Sequence, residues 1–308
     1  MNQTRVIFAG SGAFGIPALT AMLDAHYDVT AVYTQPDRPA GRGMKLTPTP
    51  VAAFARTRGL NVISTQNINT EALPSADVLV VIAFGQKIAP HVVTHARLGS
   101  INLHASRLPK YRGAAPINWA VIRGDAVTGN SVIRLADKMD AGAVLGMSEV
   151  PISETDTAGE LHDRLSLDGG PLVLRVIADL LQGVSIEVEQ DHASATQAPK
   201  LSRETAVIDW SQPCTVVSRL VNGLSPWPAC TVRVGDESDT LKLLRARPII
   251  DTQNAYEPGT IDDLKRITCG TGAIELIDVQ PAGKRPMTFA DYQRGRAWTP
   301  GTRLASHL

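Results

Sequence analysis

Val6-Ile-Phe-Ala-Gly-Ser-Gly-Ala-Phe-Gly15 decides how this chain is read. Apolar residues run into glycines, and Ile16, Leu19 and Leu23 then recur at helical spacing, which predicts strand, tight turn and helix. Val29 to Tyr33 supplies a second strand. Asp77-Val-Leu-Val-Val-Ile-Ala83 is apolar after its first residue, as befits a parallel strand covered by helices on both faces. Gly99 to His104 and Ser131 to Ala136 read as further strands, with a helix from about Pro116 to Ile122 between them. This alternation predicts an α/β domain with a doubly wound, mostly parallel, Rossmann-like sheet.

Downstream, Thr157 to Leu181 holds two helical stretches parted by Gly169-Gly170-Pro171, which close the first domain at residue 184. Residues 185–205 lose their period and turn polar, the pattern of a linker crossing the surface. The remainder, 206–308, reads as a helix near Val216 to Leu224 followed by short strands around Cys230–Val234, Thr240–Leu244, Ile267–Cys269 and Ile274–Val279. Short strands separated by turn residues predict a small β barrel or sandwich.

Hydrophobic residues make up 44% of the 308 and charged residues 19%, a balance that supports buried cores and excludes extensive disorder. Thirty basic residues cancel thirty acidic ones, so contact with a polyanion has to use a local patch. Cys214, Cys230 and Cys269 form no CxxC pair and fit reduced thiols in the cytoplasm. Glycines break the first apolar run before it forms a signal-peptide core, and no stretch approaches the ~20 apolar residues of a membrane span. A cytoplasmic protein with no membrane contact and no obligate protein partner is expected.

The chemistry concentrates in Ile101-Asn-Leu-His-Ala-Ser-Arg-Leu-Pro-Lys-Tyr-Arg-Gly-Ala-Ala-Pro-Ile117. Asn102 and His104 stand two apart on a strand, so both face one side while Leu103 faces the core. They lie at the carboxyl edge of the sheet, where open α/β folds gather ligands. Ala136-Asp-Lys-Met-Asp-Ala-Gly142, after the next strand, brings Asp140 to the same edge, with Asp137 as the competing acid. An amide, an imidazole and a carboxylate suit acyl transfer to an amine, with donors for the oxyanion and an acid-base group for the proton.

Other motifs carry rival readings. Gly10-Ser-Gly-Ala-Phe-Gly15 matches the dinucleotide fingerprint of an NAD-dependent oxidoreductase, but the strand that follows ends Val32-Tyr-Thr-Gln35 without the acid that holds a ribose hydroxyl. The glycines are then read as serving the turn and helix–sheet packing. His91 and His95 stand four apart without a third ligand and read as a solvated helix surface, so no metal is expected.

The Asn-x-His-x-Ser-x-Leu-Pro-x-Tyr-Arg-Gly-x-x-Pro-Ile run with its distal Asp-x-Gly resembles the 10-formyltetrahydrofolate-dependent formyltransferase family. The resemblance implies catalysis by Asn102, His104 and Asp140, and folate contact through Ser106, Arg107, Leu108 and Pro109. It also implies no tightly bound cofactor, with 10-formyltetrahydrofolate as cosubstrate. Gln35-Pro-Asp-Arg-Pro-Ala-Gly-Arg-Gly43, Ala198-Pro-Lys-Leu-Ser202, Ile208-Asp-Trp210 and Ser225-Pro-Trp-Pro228 resemble the branch acting on methionyl initiator tRNA. Members acting on nucleotide-sugar amines share the first domain but not this combination. The branch implies an OB-like C-terminal barrel contacting tRNA and a tRNA-facing loop with Arg38, Arg42 and Lys45. Among the barrel's cations are Arg245, Arg247, Lys265, Arg266, Lys284, Arg285, Arg294 and Arg296. Neutralising Arg42 is expected to weaken use of tRNA while leaving folate affinity nearly intact, and titrating the variant with each substrate checks this.

Overall fold

The computed structural model describes residues 3–40, 43–235, 240–250, 255–296 and 298–307. The chain forms two compact units. The first comprises Met1–Gly113, Gly129–Val150 and His162–Gln197; the second comprises Ala114–Thr128, Pro151–Leu161 and Ala198–Leu308.

The longer strands of the first unit are β1 (Arg5–Gly10), β2 (Asp28–Thr34), β3 (Arg38–Ala40), β4 (Lys45–Thr47), β5 (Val62–Ser64), β6 (Val78–Ile82), β7 (Ser100–His104), β8 (Ser131–Arg134) and β9 (Val144–Met147). Seven form one sheet in the order β9-β8-β7-β6-β1-β2-β5. β5, β2, β1, β6 and β7 run parallel, and β8 and β9 close one edge antiparallel. The winding reverses between β1 and β6, so the carboxyl ends of the strands there open into the crevice that such sheets use for ligands. Every residue of β6 is buried, as its unbroken apolar run requires.

The glycines after β1 are committed to packing. A Cβ at Gly10 would stand 2.6 Å from the Phe8 ring and 2.9 Å from the Ile82 carbonyl. The Ser11 and Gly12 amides donate to the Ala83 carbonyl at 3.3 and 3.5 Å.

Two local expectations are corrected. The stretch around Gly169-Gly170-Pro171 does not divide two helices, because one helix runs Ala158–Gln182. Gly169 is where the helix meets β7: a Cβ there would lie 2.5 Å from Leu103 Cδ2. Pro171 is exposed, as is Leu167 four residues before it, so water is available to the carbonyl that proline leaves unbonded. The basic segment after β2, read as a loop, is a β3–β4 ribbon pairing Arg38 with Thr47 and Ala40 with Lys45. The polar stretch after residue 184 is bonded into the first unit: Val188 pairs with Val144, and Gln190 is buried.

The second unit adds β10 (Cys230–Val234), β11 (Thr240–Ile249), β12 (Ile267–Thr268), β13 (Ala273–Pro281), β14 (Met287–Thr288) and β15 (Leu304–Ser306). The order is β12-β13-β11-β10-β15, with β14 beside β13. Residues 259–261 join the two edges. Gly259 O accepts from Leu304 N–H at 2.7 Å, while Gly259 N–H donates to Thr268 O at 2.8 Å. The sheet therefore curls into a barrel, around a core that includes Val232, Leu243, Ile267, Ile274 and Leu304.

β11 runs five residues beyond the expected Leu244 because of a bulge. Leu243 and Leu244 both face inward, and the alternation resumes with Arg245 and Arg247 outward around the buried Ala246. The helix Cys214–Gly223 holds the strand just past this irregularity. The Asn222 amide, fully buried, accepts from Ala246 N–H at 2.8 Å and donates to Ala246 O at 2.9 Å. Asn222→Ala strands both backbone groups and is expected to cost ~2–4 kcal/mol, read from the urea unfolding midpoint.

Among the described residues no helix is long and apolar enough to cross a membrane. Nor does any group of three potential metal ligands occur among them. His91 and His95 instead make hydrogen bonds through Nε2 to the carbonyls of Asn69 and Pro74.

Candidate active site

β7 sets the site because its neighbours fix which way it faces. Paired with β6 and β8, it seats Leu103 against the glycine notch of the long helix, so Asn102 and His104 emerge on the opposite face. Among the described residues the Asn102 carboxamide has no hydrogen-bond partner, which leaves its donors free for a ligand.

His104 is buried and oriented. Its Nε2 lies 2.9 Å from the Tyr111 carbonyl, and because a carbonyl only accepts, Nε2 carries the proton. The opposite ring nitrogen, Nδ1, lies 3.7 Å from Asp140 Oδ1. Asp140 Oδ2 in turn accepts from the Gly113 amide at 2.8 Å. Asp137 is exposed, and among the described residues the acid that pairs with His104 is Asp140.

Two residues here hold backbone conformations uncommon for any side chain: φ is 62° at Tyr111 and 54° at Asp140. Such positions cost about 1–3 kcal/mol each and persist where surrounding bonds overdetermine them. Tyr111 N–H donates to Thr196 Oγ1 at 2.9 Å. Asp140 and Gly142 present their carbonyls to the Gln190 amide at 2.9 and 2.7 Å. Gly142 admits no side chain, because a Cβ would stand 1.9 Å from the Arg134 carbonyl.

The loop expected to meet folate is stiffened from within. Ser106 Oγ donates to Lys110 O at 2.6 Å, and Ser131 Oγ bridges the Ser106 carbonyl at 2.7 Å and the Leu108 amide at 3.0 Å. Ser106 and Leu108 are buried, Pro109 is half-buried, and exposed Arg107 pairs with Glu149 at 2.9 Å. Arg38 and Lys45 are exposed on the β3–β4 ribbon, beside exposed Met44 and Leu46. Arg42 lies outside the described residues.

Several barrel cations are neutralised locally. Arg245 pairs with Glu160 and Asp278, Arg247 with Glu275, Arg266 with Asp262 and Arg294 with Asp291. A different group of cations, none of them singled out in the sequence, lines a recess of about 250 Å³: Arg203, Lys242 and His307 beside Thr231 and the largely exposed Trp227 of the Ser225–Pro228 run. Arg233 reaches the same rim, its Nη2 3.2 Å from His307 Nδ1. The outward face of β11 was the available signal, since Lys242 precedes the bulge on the solvent side.

Known proteins match the chain along nearly its whole length. Residues 4–177 match the family described as Formyl transferase, and residues 200–297 match Formyl transferase, C-terminal domain. The chain is 40% identical over 310 residues to a methionyl-tRNA formyltransferase of a Methylobacterium species, covering 98% of this chain and 99% of that protein. The protein of that name from Bacillus licheniformis is 39% identical over 314 residues, covering 98% of each. Among solved structures, an N-formyltransferase from Helicobacter canadensis in complex with folinic acid and dTDP-3-aminofucose aligns with a TM-score of 0.65 at 15% identity, covering 92% of this chain and all of that one. HypX from Aquifex aeolicus in complex with tetrahydrofolic acid aligns at 0.63 and 16%, covering 95% of this chain and 47% of that one. At those identities the structural likeness bears on the fold, and the family rests on the sequence matches. On both its N- and C-terminal portions, the chain belongs to the formyl transferase family.

Proposed function

We infer that this protein moves the formyl group of 10-formyltetrahydrofolate onto the α-amine of methionyl initiator tRNA, in the cytoplasm. The observation that carries the reading is the near-complete span of the methionyl-tRNA formyltransferase relatives at about 40% identity. The folate compounds named with the solved relatives agree with the donor. A sugar amine as acceptor is less well supported, since the N-formyltransferase solved with dTDP-3-aminofucose shares only 15% identity.

The chemistry asks little of the protein beyond placement. A free terminal amine, with a pKa near ~8, is partly neutral at physiological pH and can attack the formyl carbon. As the new C–N bond forms, negative charge gathers on the formyl oxygen. The Asn102 amide and His104, whose Nδ1 is the ring nitrogen not engaged by the Tyr111 carbonyl, are the groups proposed to hold it. Asp140, beside Nδ1, takes the amine proton directly or through water. The bond to the folate nitrogen then breaks, and that nitrogen takes up a proton.

In this reading the N-terminal domain holds folate and the reacting atoms, with Ser106, Arg107, Leu108 and Pro109 forming a wall of the folate site. Residues 206–308 contact tRNA. Arg38, Arg42 and Lys45 on the ribbon address its acceptor end, and the recess beside Trp227 adds phosphate contacts. Incubation with 10-formyltetrahydrofolate and methionyl initiator tRNA should yield formylmethionine. Asn102→Ala and His104→Ala should each lower turnover roughly a hundredfold or more with folding retained, and unchanged turnover removes that residue from the mechanism.

A further inference from the structure

We propose that Gln190 is a positioning residue for Asp140, clipping the acid loop to the buried Arg112 guanidinium; this rests on the functional reading above. The clip uses the whole side-chain amide. Gln190 Oε1 accepts from Arg112 Nε at 3.1 Å and Nη2 at 2.6 Å, while Nε2 donates to the carbonyls of Asp140 at 2.9 Å and Gly142 at 2.7 Å. Both acceptor sites and both donor hydrogens are thereby engaged, so the orientation of the amide is determined.

Arg112 makes the arrangement directional. It is 3% exposed, and among the described residues it forms no ion pair with a carboxylate. Its backbone N–H donates to Thr196 O at 2.9 Å, and Nη2 also reaches His192 Nδ1 at 2.8 Å. The cation faces the amide oxygen, which turns the amide hydrogens toward the loop and polarises them. The loop needs that hold, because Asp140 occupies a left-handed conformation that its Cβ disfavours. Relaxation to negative φ would rotate the carboxylate away from the Gly113 amide and His104 Nδ1. A glutamate at 190 could keep the Arg112 contacts but would set an acceptor against two carbonyls.

The test compares Gln190→Glu and Gln190→Leu with Asp140→Asn and with both double variants, measuring kcat, KM for each substrate and the urea midpoint. Each Gln190 variant is expected to lose ~10–100-fold in kcat, the scale of a misplaced catalytic group, with little change in either KM. In the Asp140→Asn background the same substitutions should lower kcat no further, because the group they position is already disabled. Additive losses, unchanged kcat or a loss confined to KM would overturn the proposal. Failure of both Gln190 variants to fold would make the residue structural and equally overturn it. A wild-type protein that makes no formylmethionine would sink the functional reading, and the clip with it.

Discussion

Leu103 and Gly169 form the contact on which the site depends. The leucine fills the space that the missing Cβ leaves in the long helix, and a strand whose side chains alternate cannot turn one residue inward without turning its neighbours outward. Asn102 and His104 thus owe their direction to a packing contact on the far side of the sheet. Slipping β7 by one residue would turn an amide and an imidazole toward the apolar side and Leu103 away from its notch, so the core opposes loss of the site geometry.

The acid loop follows a different principle. Asp140 and Tyr111 are tied into unfavourable backbone conformations by hydrogen bonds, to Gln190 and Thr196 respectively. Gly142 lets the loop close on the Arg134 carbonyl, and the Gly113 amide meets the carboxylate from the opposite segment. These directional bonds set the carboxylate against the imidazole with little latitude. Strain of this kind persists only because several partners oppose its release.

In the barrel unit the distribution of charge differs from its content. Arginines on the outward face of β11 beyond the bulge are answered by carboxylates, whereas Lys242, before it, faces a recess shared with Arg203 and His307. Paired cations offer little to a polyanion, since their field is cancelled within a few ångströms. The bulge at Leu244 therefore separates two electrostatic environments along one strand.

Sequence by itself determined the order of β1, β2, β6, β7 and β8, the shared facing of Asn102 and His104, and the formyltransferase motif. These follow from local periods and from residues adjacent in the chain, and the observed strand ends agree with them to within one or two positions. Tertiary structure decided the remainder. Gly169-Gly170-Pro171 reads locally as a break, but helix continuity there depends on what the glycines pack against. The alternation in β11 fails at Leu244 because a bulge is a property of two paired strands. Gln190 sits in a polar stretch with no motif, and its partners Arg112 and Asp140 are 78 and 50 residues away. Hydrogen bonds over such separations leave no local period in the chain, so only the folded structure could assign them.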